Sequence, residues 1–299
     1  MNLLITGAWQ GAAAHIPELE KLGHAVQFLQ YEQDPLPCGY AWVEGVVCNG
    51  LFLHHPIEKF TNLRYIQLTS AGFDRVDMDY VNLHKIQIRN ARGVYSIPMA
   101  EFALAGVLQL YKRMDFFREN QKRHVWEKHR GLLELSGRTV CILGCGSVGT
   151  ECARRFSAFG CRVLGVDLSA EPREGFDEMF QIKALDPVLP DADVVVLTVP
   201  LTADTRHLMD EVKMKKMKPG AILVNIARGA IVDTGALVAS LRDGLLGGAV
   251  LDVLEEEPLG PESPLWDLDN VIITPHNSFV GENNAKRLSA VICENLMQI

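Results

Sequence analysis

The sequence predicts an α/β protein made of two parallel-sheet regions. Short apolar runs alternate with helical patterns from residue 1 to about 95, and the alternation resumes from 138 to 274. The runs are continuous rather than alternating, which suits parallel strands covered on both faces. A long helical pattern lies between the two regions. The composition agrees: 299 residues, 48% hydrophobic and 22% charged, is ordinary for a globular protein and long enough for two domains.

Taken in order, the first strand is Leu3–Thr6, because Met1–Gly7 lacks the basic leader and long apolar core of a secretory signal. Ala25–Leu29, Val46–Cys48, Tyr65–Leu68 and Ile86–Arg89 complete the first region. Pro98 opens a helix running to about Arg118, with the proline in the first turn, where its missing N–H costs nothing. Thr139–Leu143, Val163–Val166, Val194–Val199, Ala221–Asn225, Gly248–Val253 and Val271–Thr274 are the strands of the second region. Glu282–Ile299 reads as a closing helix.

Several function classes are disfavoured at this level. A net charge of −8 opposes nonspecific binding to nucleic acid or anionic membrane. No apolar run approaches the roughly 20 residues of a membrane-spanning helix. The seven cysteines are scattered, without C-x-x-C spacing. Cys141, Cys152 and Cys161 fall on apolar elements and read as reduced core residues, as expected of a cytoplasmic protein. His54-His55-Pro56 has no acidic or cysteine partner nearby and reads as a solvated loop, so no metal site is expected. Lys213–Lys218 reads as a helix with a charged outer face, and His207 as a surface residue. Trp126 and Phe116-Phe117 fit a dimer or interdomain surface.

The chemistry begins at Arg138–Asp167. A strand feeds into Gly144-Cys145-Gly146-Ser147-Val148-Gly149, a helical pattern runs to Gly160, and a second strand ends on Asp167. This is the order of a dinucleotide-binding βαβ unit. Gly144 permits a tight turn, Gly146 lets a pyrophosphate approach the backbone, and Gly149 lets the helix pack close. The helix N-terminus attracts the phosphates. Asp167 accepts from the adenosine ribose hydroxyls and repels a 2′-phosphate, which points to NAD over NADP.

Three later motifs each follow a strand of the same region: Asn225–Gly229 with Arg228, Leu251–Leu259 with Asp252 and Glu257, and Thr274–Ser278 with His276. Singly, Arg228 reads as a structural ion pair, Glu257 as part of a solvated turn and His276 as a satisfied loop histidine. Together, at the carboxyl ends of strands beside the glycine turn, they are placed to converge on one ligand.

The chain resembles the D-isomer-specific 2-hydroxyacid dehydrogenase family. The resemblance rests on Ser70–Asp77, Asn90–Gly93 leading to Ala100-Glu101, Trp126, Leu135–Val140, the glycine turn, Val199-Pro200-Leu201-Thr202 and the three later motifs. It implies two Rossmann-like domains, an NAD-binding domain over 98–280 inserted into a flavodoxin-like substrate domain of 1–97 plus 281–299. It also implies a homodimer and an active site between the domains. It assigns His276 as acid/base, Glu257 as the carboxylate that orients and stabilises its imidazolium, and Arg228 as the binder of the substrate carboxylate. Ala71 and Gly72 supply backbone N–H groups to the other carboxylate oxygen. Asp252, aided by the Ala227 backbone, positions the nicotinamide carboxamide. Val199, Pro200 and Thr202 pack on the cofactor, and Ser278 lies under nicotinamide.

The chain departs from the family pattern in Asn277-Ser278-Phe279, where a glycine-containing turn is common, and in Cys145 inside the glycine turn. The sequence stops at Ile299, a little earlier than is usual in the family, and serine feedback is not expected. The expected reaction is NADH-dependent interconversion of small 2-keto acids and D-2-hydroxy acids. Glu257, where formate dehydrogenase pairs its histidine with glutamine, argues against formate oxidation. A phosphite-type dehydrogenase and a non-catalytic NAD-sensing binding protein are the alternatives. The substrate's 2-substituent is expected to meet loops near 48–55, 72–75 and 92–95. No basic cluster beyond Arg75 and Arg92 is evident there, which favours glyoxylate, hydroxypyruvate or pyruvate over phosphoglycerate.

Overall fold

Twelve strands form two separate, wholly parallel sheets in a computed structural model that describes all 299 residues. The chain divides into one unit of Met1–Tyr95 with Gly281–Ile299 and a second of Ser96–Val280.

In the first unit the strands are β1 (Asn2–Thr6), β2 (Ala25–Leu29), β3 (Gly45–Cys48), β4 (Tyr65–Leu68) and β5 (Gln87–Arg89), ordered β2-β1-β3-β4-β5. This is the flavodoxin-like order. Its two faces are covered by separate apolar clusters, so β3 and β4 are buried throughout. One of those clusters is completed by the last helix, Asn284–Leu296, through Leu288, Ile292 and Leu296. Hydrogen bonds from Trp9 Nε1 to Ser289 Oγ (2.9 Å) and Asn295 Nδ2 to Gln67 Oε1 (2.8 Å) fix that helix on its own unit.

The second unit carries β6 (Thr139–Leu143), β7 (Arg162–Asp167), β8 (Glu178–Gln181), β9 (Val194–Leu197), β10 (Ala221–Asn225), β11 (Leu246–Leu251) and β12 (Val271–Ile273). Their order is β12-β11-β10-β9-β6-β7-β8, so the chain reverses direction across the sheet between β6 and β9. That switch point is where open α/β sheets bind ligands. Cys141, Cys152 and Cys161 are buried core residues, and every cysteine is unpaired.

The structure corrects four expectations. The edge strand β8 has no counterpart among the predicted strands; Glu178–Gln181 is half-covered and lacks a continuous apolar run. The single helix expected to Arg118 is two, Ser96–Tyr111 and Met114–Lys122, separated by Arg113 in the left-handed region (φ 49°). There Leu133 N–H donates to the Tyr111 carbonyl (3.0 Å) and Lys112 Nζ to the Leu133 carbonyl (2.7 Å), so a returning segment takes over the helix end. His55 is buried rather than solvated, bonded to Tyr40 Oη (3.0 Å) and the Asp34 carbonyl (3.1 Å). Of the lysine-rich stretch only Lys213 and Met214 are helical, at the end of a short helix Glu211–Met214; Met214 and Met217 turn into the core while Lys213 and Lys216 reach Asp186.

Candidate active site

The site in the second unit follows from strand register. Leu143 is level with Leu197 and Val166, Leu197 with Asn225, Asn225 with Leu251, and Leu251 with Ile273. One row across the sheet is thus the last residue of most strands. Gly144, Asp167, Val199, Ala227-Arg228, Asp252 and His276 all leave from the same carboxyl edge.

The three glycines of the turn differ in what they do. Gly144 has φ 91°, and a Cβ on it would fall 2.7 Å from Val199 N. A Cβ on Gly149 would lie 2.1 Å from the Gly144 carbonyl oxygen. Packing therefore demands both glycines. A Cβ on Gly146 would meet no atom within 4 Å, so this glycine keeps an open approach to the backbone. Gly146 also caps the helix Ser147–Ala158 without any side-chain acceptor. First-turn N–H groups of such a helix lack intrahelical partners and suit an anion. The residues present fit a dinucleotide pyrophosphate.

Asp167 is more engaged than a lone carboxylate. Its Oδ1 accepts from Leu168 N (2.6 Å), and its Oδ2 from Cys145 N (2.9 Å) and Arg173 Nη1 (3.1 Å). Arg173 Nη1 also donates to the Cys145 carbonyl, tying the β7–β8 connection to the glycine turn. The Cys145 side chain points inward, its Sγ 3.7 Å from the Ile142 carbonyl and 3.8 Å from that of Val166. Burial, with the nearby Asp167 charge, pushes the Cys145 thiol up to about 12.

Asp252 organises the loop that carries His276. It is 1% exposed; Oδ1 accepts from Thr274 Oγ1 (2.7 Å) and Asn277 N (2.7 Å), and Oδ2 from Ser278 N (3.0 Å). His276 N–H donates to the Asp252 carbonyl (2.8 Å), and His276 itself sits at φ 52°. Its Nδ1 lies 2.9 Å from Glu257 Oε2, with both side chains about two-fifths exposed at 44% and 39%. Glu257 Oε1 accepts from Leu254 N (3.0 Å), which steadies the acid on its own turn. Ser278 is buried.

Arg228 opens a turn, Gly229–Ile231, packed on the Glu257 loop: a Cβ on Gly229 would fall 1.9 Å from the Leu254 carbonyl carbon. Asn225 locks this turn, donating from Nδ2 to the Arg228 carbonyl (2.9 Å) and accepting from Ala227 N (3.1 Å). Arg228 Nη1 donates to the Ala227 carbonyl (2.8 Å). Glu255 braces the two loops, Oε2 accepting from Thr234 N (3.0 Å) and Oγ1 (2.6 Å) and Oε1 facing His207 Nε2 (2.5 Å). Burial pushes the Glu255 carboxyl up, but the Thr234 and His207 bonds outweigh it and hold it below the usual range. Pro200 and Thr202 lie exposed in a turn closed by Thr205 Oγ1, which donates to the Pro200 carbonyl (2.7 Å).

Ala71 and Gly72 belong to the first unit, just past the carboxyl end of β4. Asn90 Nδ2 donates to the Ala71 carbonyl (2.6 Å) and Ser70 Oγ to that of Gly72 (3.0 Å). Sequence reasoning missed Arg173 and Glu255. Their only signal was position, the first soon after the β7 acid and the second between Asp252 and Glu257.

Residues 104–278 match the family model for the D-isomer specific 2-hydroxyacid dehydrogenase NAD-binding domain. A glyoxylate reductase of Aeropyrum pernix is 37% identical over 249 residues, covering 81% of this chain and 74% of that protein. Among solved structures, a D-lactate dehydrogenase from Aquifex aeolicus, complexed with NAD and lactic acid, superposes with a TM-score of 0.78 at 27% identity, covering 100% of this chain and 97% of that one. A D-isomer specific 2-hydroxyacid dehydrogenase from Xanthobacter autotrophicus, in complex with NADPH and MES, superposes at 0.79 with 27% identity, covering 99% and 94%. No helix is long and apolar enough to cross a membrane.

Proposed function

We propose that this chain, which belongs to the D-isomer-specific 2-hydroxyacid dehydrogenase family, reduces small 2-keto acids to D-2-hydroxy acids with NADH and runs the reverse reaction with NAD. The observation that carries this reading is the pairing of His276 Nδ1 with Glu257 Oε2 at 2.9 Å, on the strand edge that also bears the glycine turn.

Bound NADH supplies the hydride. His276 Nδ1–H is committed to Glu257, which leaves Nε2 to deliver a proton to the carbonyl oxygen, or to take one from the hydroxyl in the reverse direction. Glu257 stabilises the imidazolium and fixes the ring. Arg228 binds the substrate carboxylate bidentately and draws electron density from the adjacent ketone. The Ala71 and Gly72 backbone takes the other carboxylate oxygen.

The 144–149 turn, with Cys145, Ser147 and Val148 between its glycines, holds the pyrophosphate, and Asp167 accepts from the ribose. Val199, Pro200, Thr202 and Ala227 lie along the coenzyme. Asp252 and Ser278 serve the nicotinamide end. In this reading residues 98–280 form the coenzyme domain, and 1–97 with 281–299 the substrate domain. A small uncharged 2-substituent, as in glyoxylate, hydroxypyruvate or pyruvate, fits the loops near 48–55, 72–75 and 92–95, whose basic residues are Arg75 and Arg92. Likeness to the A. pernix glyoxylate reductase supports the first of these. We also infer a homodimer, supported by Trp126, which is 99% exposed, and by the neighbouring Phe116-Phe117 pair. Sedimentation velocity reads that directly.

The test is loss of NADH absorbance with glyoxylate, hydroxypyruvate, pyruvate, phenylpyruvate and 3-phosphohydroxypyruvate, with His276→Ala in parallel. Turnover of a small keto acid that collapses in the variant is expected. NADH binding without turnover of any of them would overturn the reading in favour of phosphite oxidation or a sensing role.

A further inference from the structure

We propose that Arg173 sets coenzyme choice in this chain, admitting the 2′-phosphate of NADPH beside the acid that receives the ribose hydroxyls of NADH. The inference rests on the reading above, which places the adenosine ribose at Asp167.

A bare carboxylate at the end of β7 repels a 2′-phosphate. Here the carboxylate is not bare. Arg173 Nη1 lies 3.1 Å from Asp167 Oδ2, and the same nitrogen donates to the Cys145 carbonyl inside the glycine turn. The guanidinium is thus tied both to the acid that ends β7 and to the glycine turn. Asp167 and Arg173 together carry no net charge. The backbone N–H groups of Leu168 and Cys145 already occupy one lone pair on each Asp167 oxygen.

Both anchoring bonds use one nitrogen of Arg173. Its Nη2 and Nε make no hydrogen bond within the protein, and its side chain is 34% exposed. A guanidinium with a free Nη2/Nε edge suits a phosphate, which accepts two parallel N–H bonds. The nearby Glu174 is drawn onto Arg154 (3.1 Å), away from this edge. A purely structural Arg173 would only clamp the 168–177 connection to the glycine turn. Such a clamp would affect NADH and NADPH equally, whereas a phosphate-binding arginine separates them.

The experiment titrates the full-length protein with NADH and with NADPH separately, reading protein fluorescence quenching without keto acid, for the wild type, Arg173→Gln and Asp167→Asn. Wild-type Kd values within about tenfold of each other are expected. Arg173→Gln should weaken NADPH at least tenfold while moving NADH by less than threefold. Asp167→Asn, which removes the repelling charge and releases the guanidinium, should tighten NADPH and weaken NADH. Competition by 2′,5′-ADP should fall in step with NADPH in Arg173→Gln.

Equal weakening of both coenzymes, or a Kd ratio unmoved by Arg173→Gln, overturns the proposal, as does a wild type that rejects NADPH by more than about a hundredfold. If Arg173→Gln fails to fold, the Asp167→Asn titration decides alone, and unchanged NADPH affinity there overturns the proposal. A wild type that binds neither coenzyme overturns the dehydrogenase reading itself; one that binds NADH alone overturns only the role of Arg173.

Discussion

Asp252→Asn isolates the residue on which the His276 turn hangs. The carboxylate is 1% exposed and accepts three hydrogen bonds: two at Oδ1, both 2.7 Å, and one at Oδ2, 3.0 Å. An asparagine of the same shape keeps its oxygen for Thr274 and Asn277 but sets an amide N–H against Ser278 N–H. That leaves two buried donors facing each other, each costing about 1–3 kcal/mol, and strips charge assistance from the remaining bonds. The sum is about 3–5 kcal/mol. In a domain of this size each kcal/mol moves the midpoint by about 2–4 °C, so even the lower figure gives a fall of about 6–12 °C. His276 holds φ 52°, a left-handed conformation that a non-glycine residue keeps only where its surroundings impose it. Loosening the turn should therefore lower kcat by about a hundredfold, through loss of His276 geometry. Calorimetry and steady-state rates on one preparation check both effects. A midpoint within about 2 °C of wild type would refute the claim that these bonds support the turn.

His276→Asn should lower kcat by about 10²–10⁴-fold, the usual contribution of a positioned acid/base, while the NADH Kd measured by fluorescence stays within about threefold. Arg228→Lys loses the bidentate fork, so KM for the preferred keto acid should rise at least tenfold, by about 1.4 kcal/mol or more, with NADH affinity unchanged in the same titration. Asp193 accepts from Thr139 N (2.9 Å) and pairs with Lys218 (2.8 Å) and Arg138 (3.2 Å) at the amino end of the second sheet. Burial raises its carboxyl, but Lys218, the Thr139 N–H and Arg138 together hold it below the usual range. A depressed folded value means stability that is present above the unfolded pKa of about 3.9 and lost as pH falls through the folded one. Asp193→Asn should thus cost about 1–3 kcal/mol at pH 7 in urea titrations, with the gap to wild type closing below about pH 4.

Buried strands and the glycine turn were legible because they are local. Val194–Leu197 and Ala221–Asn225 are apolar at nearly every position, since parallel strands covered on both faces leave no polar side. Strand β8 was not, because an edge strand is half-covered and Glu178–Gln181 reads like a loop. The break at Arg113 was hidden for a different reason. It depends on Leu133 reaching the Tyr111 carbonyl across 22 residues, and nothing in the helical pattern records that partner.

The acids at the carboxyl edge show where local reading stops. Asp167, Asp252, Glu255 and Glu257 all lie at or just past strand ends. What each accepts separates them. Asp252 is saturated by one side-chain and two backbone donors from 22–26 residues away, so its first task is to build the His276 turn. Glu255 faces His207, 48 residues back, and Thr234, 21 back, so it spans loops rather than meeting ligand. Asp167 shares its charge with Arg173, which ties it to the connection after its own strand. Glu257 alone places one oxygen on its own turn and the other on an exposed imidazole. A carboxylate held rigidly by its backbone, yet left 39% exposed beside a histidine, can stabilise a charge that appears and disappears there. Of the four, only Glu257 joins a backbone donor of its own turn to a partly exposed histidine, the arrangement on which the proposed proton transfer rests.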